Sequence, residues 1–153
     1  MAKRIWMVIC LSFCSFACSD NRSTKGESEQ ALAVLVPGSG TYSRKISTQK
    51  PDAQAFFDQG LRLAWGFYFP ESIASYQEAA RLDPDHPMPY WGMAHAMGPN
   101  PNSRYARMPD DPKGEGLKAI NMAMDRIHHA TPLEAKLIRA MHVLYDQKSI
   151  SDA

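Results

Sequence analysis

Apolar residues recur at helical spacing from Asp52 onward. Ala53, Phe56, Gly60 and Leu63 are separated by three, four and three positions, and Phe57, Leu61 and Ala64/Trp65 make a second stripe beside them. Two such stripes predict a helix packed on two sides. A second helix is expected from Phe69-Pro70-Glu71. Proline suits a first turn, where its missing N–H is not needed, and a glutamate there complements the positive end of the dipole. Ile73, Tyr76 and Ala79/Ala80 form its inner face, and Asp83-Pro84 closes it, because proline disfavours the α region for the residue before it. A third helix runs from about Met88 to Met97 and stops at Gly98-Pro99. Asp111-Pro112 restarts the helical pattern as cap and proline. Gly114 and Gly116 weaken that first turn by ~1 kcal/mol each relative to alanine. Thr131-Pro132-Leu133-Glu134 reads as a capping box, followed by a stripe of Leu137, Met141 and Leu144.

The pattern repeats itself. Adding 34 positions carries Phe56 to Tyr90, Phe57 to Trp91, Gly60 to Ala94 and Leu63 to Met97. A period of 34 is the signature of the tetratricopeptide repeat (TPR), a helix–turn–helix unit stacked into a solenoid. Ala53 to His86 resembles that repeat closely. Phe56 and Gly60 hold its first aromatic and small positions, and Tyr76, Ala79 and Pro84 hold its second aromatic, late alanine and closing proline. Ser72 stands where the repeat has an alanine, and Gln59 where it has a leucine. In repeat two, Ile120, Met124, Ile127 and Pro132 follow Ser72, Tyr76, Ala79 and Pro84 at a shift of 48, so 14 extra residues, roughly Pro99 to Asp111, enter its turn. The expected fold is an all-α antiparallel helix-pair solenoid of about two and a half repeats over residues 52–146, with a short tail at 147–153. A stable stack takes about three repeats, and the last helix is too apolar on one side to cap one, so an N-terminal fragment or truncated member of a longer solenoid is expected. "GTYSRKIST", "AQAFFDQGLRLAWGF", "EAARLDPD" and "YWGMAHAMGPNPN" together resemble exported bacterial TPR proteins of unassigned function.

The first residues carry an address rather than a fold. Lys3 and Arg4 precede a 13-residue, mostly apolar run from Ile5 to Ala17, too short to span a hydrocarbon core of ~30 Å as a helix. Residues 1–17 read as a signal peptide. Ser15-Phe16-Ala17-Cys18 resembles a bacterial lipobox, which implies acylation of Cys18 and an exported protein held at a membrane of the cell envelope. Cys10 and Cys14 are small apolar residues of the signal, so no disulfide pair remains after processing. Residues 18–51 read as a linker, rich in Ser, Thr, Lys, Gly and Pro, with one apolar run at Ala31 to Val36 suited to a strand-like segment docked on the domain.

Charge and motifs narrow the chemistry. Across 153 residues, 17 Lys+Arg meet 16 Asp+Glu, which leaves no footprint for nucleic acid. No HExxH, CxxCH, GxSxG or phosphate loop occurs, and the acids read as scattered on exposed helix faces. His128-His129, adjacent on a helix, are expected to diverge by about 100°. No catalytic, metal or cofactor site is expected. The TPR resemblance implies that first helices line a concave groove, at Phe57, Leu61 and Trp65 in repeat one and at Trp91 and His95 in repeat two. Aromatics and one histidine there suit an apolar or aromatic-anchored protein or peptide partner rather than a carboxylate clamp. Trp65 and Trp91 read equally as packing residues. The expected function is an exported or lipid-anchored scaffold for protein–protein interaction. Two alternatives stand beside it: a metal-dependent or other enzyme using His95, His142 and the 99–111 insertion, and a non-functional truncated fragment.

Overall fold

The computed structural model describes residues 30–98 and 109–146. These residues are all-α, with no strand among them: α1 (Pro51–Trp65), α2 (Phe69–Leu82), α3 (Pro87–Met97), α4 (Pro112–Asp125) and α5 (Pro132–Asp146), with a 3-10 turn at Ile127–His129 before α5. Each helix packs on the next, and α1 and α5 both also pack on α3. Each helix carries a proline in its first turn. The Asp111 carboxylate accepts from Gly114 N–H at 2.9 Å, which caps α4. The capping box of α5 forms in both directions, Thr131 N–H donating to Glu134 Oε2 at 2.8 Å and Glu134 N–H to Thr131 Oγ1 at 3.4 Å.

Missing side chains bring the helices together. The ring of Tyr76 on α2 lies between Gly60 of α1 and Gly92 of α3, where a Cβ would stand 2.6 and 2.4 Å from it. Tyr76 is fully buried and tilts against Phe57 at 5.5 Å between centroids. Burying rings of this size contributes roughly 1.5–3 kcal/mol each. A Cβ on Gly116 of α4 would meet the Tyr145 hydroxyl at 2.0 Å, and that hydroxyl donates to Ala94 O at 2.6 Å. Gly116 therefore weakens α4 locally and admits the side chain that ties α5 to α3.

Burial corrects two registers. Phe69, Ser72, Ile73 and Tyr76 of α2 match Gly116, Ala119, Ile120 and Ala123 of α4 at a shift of 47, not 48, and Ala123 rather than Met124 takes the tyrosine's place. On α5 the buried line is Glu134, Ile138 and Tyr145 instead of Leu137, Met141 and Leu144, because the Tyr145 hydroxyl and the Glu134 carboxylate find buried partners. Leu137 and Met141 pack partly, and Leu144 is 38% exposed. His128 and His129 lie on the 3-10 turn with ring centroids 4.0 Å apart, so they do not splay as on a helix.

Residues 31–50, read as linker, lie against the helices and are held by side chains. Gln59 of α1 accepts from Val36 N–H at 2.7 Å and donates to Val34 O at 2.9 Å and to Ser75 Oγ at 3.0 Å. Glu78 of α2 accepts from Leu32 N–H at 2.9 Å. Asp58 takes Ser43 Oγ–H at 2.7 Å and Arg44 N–H at 2.9 Å, and Gln54 takes Ile46 N–H at 2.9 Å. Ile46 itself is in the core. Gln59 thus has a reason to replace the leucine of the repeat pattern. So does Ser72 in place of alanine, its hydroxyl donating to Gly60 O at 2.7 Å. Asp58, Glu78 and Glu134 are buried, which corrects the reading of the acids as exposed.

Candidate functional site

The five groove candidates do not share one surface. Phe57 and Leu61 are core residues, Trp91 is 8% exposed and His95 is half-buried, while Trp65 is 73% exposed. Trp91 and His95 stack on each other, with centroids 5.3 Å apart and planes 17° from parallel. Trp91 Nε1 and His95 Nδ1 are buried without hydrogen-bond partners, and burial lowers the His95 pKa. His142 is half-buried on α5. Among the described residues, no three His, Cys, Asp or Glu side chains gather in a way that could hold a metal ion. Cys18, the signal peptide and most of the 99–111 insertion lie outside the described residues.

Trp65 belongs to a different surface, at the turn from α1 to α2. The last turn of α1 closes with Phe67 N–H to Ala64 O at 3.1 Å and Tyr68 N–H to Leu63 O at 2.9 Å. This paired closure requires a left-handed residue after the cap, a place glycine usually fills. Here Phe67 fills it, at φ 64°, the sole non-glycine residue with positive φ among those described. A β-carbon in that conformation costs ~1–2 kcal/mol. Its ring is 59% exposed and meets Phe69 edge-on at 6.1 Å. Trp65 and Tyr68 stand on either side, 73% and 61% exposed.

The docked segment extends this surface. Arg62 Nη1 donates to Tyr42 O at 2.8 Å and its Nε to Ser39 Oγ at 3.2 Å, which fixes the 39–42 loop beside Trp65. A groove of about 580 Å³ runs between Tyr42, Arg62 and Trp65. A second, of about 520 Å³, lies between Val34 and Val36 on one side and Leu63, Tyr68 and Ala74 on the other. Both grooves reach Ser39, which joins Tyr42 and Trp65 of the first to Leu32, Val34, Val36 and Tyr68 of the second. Sequence reasoning singled out Trp65 alone from this set. Gly66-Phe67-Tyr68, a turn with a glycine one place before the left-handed position, was the signal that could have found the rest.

A second cluster has the composition of a hydrolytic triad but not its order. Ser47 Oγ–H donates to Glu134 Oε2 at 2.7 Å and lies 3.0 Å from His86 Nε2. His86 Nδ1 accepts from Met88 N–H at 3.2 Å, so its proton sits on Nε2 and is donated to Ser47. The histidine is a donor to the hydroxyl, not a base for it, and the carboxylate binds the serine rather than orienting the ring. Burial lowers the His86 pKa, though Glu134 and Asp83 counter it. For Glu134, burial opposes the charge, but the bonds from Thr131 and Ser47 outweigh it and hold the carboxyl below its ordinary value. The cluster is a structural latch: Ser47, just before α1, joins the N-termini of α3 and α5.

No family model matches the chain, and neither does any curated protein or solved structure.

Proposed function

We propose that the protein is an exported, lipid-anchored TPR scaffold that holds a protein partner on the aromatic surface around Trp65. The TPR assignment is supported by the 34-residue period and by the alternation of helix pairs with small residues at their close approaches. The binding role is carried by one observation: Phe67 is kept in a left-handed conformation, exposed, where glycine would relieve the strain. Strain retained at an exposed aromatic points to a use for the ring. Trp65 and Tyr68, its exposed chain neighbours, and Tyr42, which shares a groove with Trp65, supply the rigid, amphipathic anchors that dominate protein interfaces.

Phe67→Gly separates the two roles of that residue. It is expected to stabilise the fold by ~1 kcal/mol and to weaken partner capture. A photo-crosslinking side chain at position 65, in producing cells, is expected to yield a discrete adduct that Phe67→Gly removes. The same label at exposed Lys118 is expected to yield none. Equal adducts from both positions, or an adduct indifferent to Phe67→Gly, count against the surface. The anchor is separate: Cys18→Ala is expected to abolish metabolic labelling by palmitate and release the protein from membranes. Unchanged fractionation refutes it.

A further inference from the structure

His86 caps α3 with a nitrogen. Its Nδ1 accepts from Met88 N–H at 3.2 Å. The usual capping side chains offer an oxygen. An imidazole nitrogen accepts only while the ring is neutral. Pro87 and Pro89, on either side of Met88, have no N–H, so the cap rests on Met88, which is fully buried. The other side of the ring is tied as well. Nε2–H donates to Ser47 Oγ at 3.0 Å, and Ser47 donates its Oγ–H and N–H to the two oxygens of Glu134 at 2.7 and 2.8 Å. Protonation reverses the cap. Nδ1 becomes an N–H aimed at the Met88 N–H, and the new charge sits at the positive end of the α3 dipole. Burial opposes that charge most, and His129 of the 3-10 turn adds to it, whereas Glu134 of α5 and Asp83 after α2 favour the charge. No charge from α1, α3 or the docked segment faces the ring. The imidazolium therefore has one cap to leave and two carboxylates to turn to. Glu134 is shared: what it gives to His86 it takes from Ser47.

We propose that His86 is an acid-operated catch: once protonated it leaves the Met88 N–H and draws Glu134 away from Ser47, so that the start of α3 and the Ser47 end of the docked segment open together. The rest of the fold stands. Residues 32–46 are held by Glu78, Gln59, Asp58 and Gln54, none of which bonds to the ring. The open state binds its proton at the ordinary 6.5 and the closed state below it. Opening therefore grows as pH falls below about 6.5 and levels off below the closed-state value. The catch is independent of the Trp65 surface, which lies at the α1–α2 turn.

Amide hydrogen exchange followed by NMR on the full chain tests it, in a non-ionic detergent that solvates the apolar Ile5–Ala17 segment, with rates corrected for the intrinsic pH dependence of exchange. As the ring signals of His86 titrate, the Met88 and Ser47 amides are expected to lose protection by about tenfold per pH unit, the slope of one coupled proton. The amide of Tyr76, in the core of α2, is expected to keep its protection over the same range. His86→Asn gives Met88 an oxygen acceptor that does not titrate and leaves His95 in place, so the protection of Met88 and Ser47 is expected to be independent of pH in that variant. Protection that stays constant while His86 titrates overturns the proposal, as does the same pH dependence in His86→Asn. Loss of protection at Tyr76 in step with Met88 also overturns it, because that is global unfolding. Should His86→Asn fail to fold, the two wild-type outcomes decide by themselves.

Discussion

Replacing Ser47 with alanine removes one oxygen and breaks the latch between three helix starts. The hydroxyl donates to the Glu134 carboxylate at 2.7 Å and accepts from His86 Nε2 at 3.0 Å. A hydrogen bond to a charged group contributes roughly 1.5–3 kcal/mol and a neutral one roughly 0.5–1.5 kcal/mol. His86 is buried, 5% exposed, so its Nε2–H is left without a partner, which keeps the loss near the upper end. The Ser47 N–H bond to Glu134 Oε1 at 2.8 Å survives the substitution. The expected loss is about 3 kcal/mol, and at roughly 4–8 °C per kcal/mol for a domain of this size the melting temperature drops by about 12–24 °C. Urea denaturation followed by far-UV circular dichroism measures it. Glu134→Gln alone and with Ser47→Ala completes a cycle, in which coupling of at least ~1 kcal/mol is expected. A loss under ~0.5 kcal/mol, or strict additivity, refutes the latch.

Three further outcomes follow from the same geometry. Tyr76→Phe removes a buried hydroxyl that has no partner, so stability is expected to hold or rise by up to ~1 kcal/mol in thermal melts, and a clear loss would mean the hydroxyl is bonded. Gly116→Ala drives a Cβ into the Tyr145 hydroxyl and is expected to cost ~1–3 kcal/mol despite the better helix propensity of alanine. Tyr145→Phe is expected to recover part of that loss, and additive losses would contradict the clash. Acid is expected to destabilise in two stages. Burial holds the pKa of His86 and His95 below the ordinary 6.5, so the unfolded chain binds more protons and stability falls as pH drops below about 6.5 towards their folded values. Glu78, held down chiefly by Arg81, and Glu134, held down by Thr131 and Ser47 against its burial, contribute stability that is present above the ordinary 4.5 and is lost as pH falls through their folded values. Urea midpoints across that range check it, and a midpoint flat between neutral pH and pH ~5 contradicts the histidine stage.

The helices were legible because their apolar residues obey one period and their ends carry prolines and caps. Tyr76 and Gly60 were legible as a pair because the 34-residue frame puts an aromatic and a small residue in register. The docking of residues 31–50 was legible only at Ala31–Val36, and its anchors were not. The segment pairs with no strand, so no alternation of its own announces it. Its backbone N–H bonds end on Gln54, Asp58, Gln59, Glu78 and Glu134, side chains of a kind that normally face water on a helix. Their signal was negative, a glutamine where a leucine was due. The aromatic surface was hidden for a related reason. Phe67 and Tyr68 fall between the two expected helices and belong to neither apolar stripe, and only the backbone angle shows that Phe67 sits where a glycine would be easier.

Amide hydrogen exchange along residues 31–50 decides whether this segment belongs to the domain. The N–H groups of Leu32, Val36, Arg44, Ile46 and Ser47 donate to Glu78, Gln59, Asp58, Gln54 and Glu134. They are expected to exchange slowly, with Ile46 and Ser47 approaching the rates of the helix core, while Ala33 and Leu35 exchange freely between protected neighbours. Uniform exchange of all nineteen amides of the segment, Pro37 having none, at the rate of an unstructured peptide would contradict the docked segment and the latch built on it.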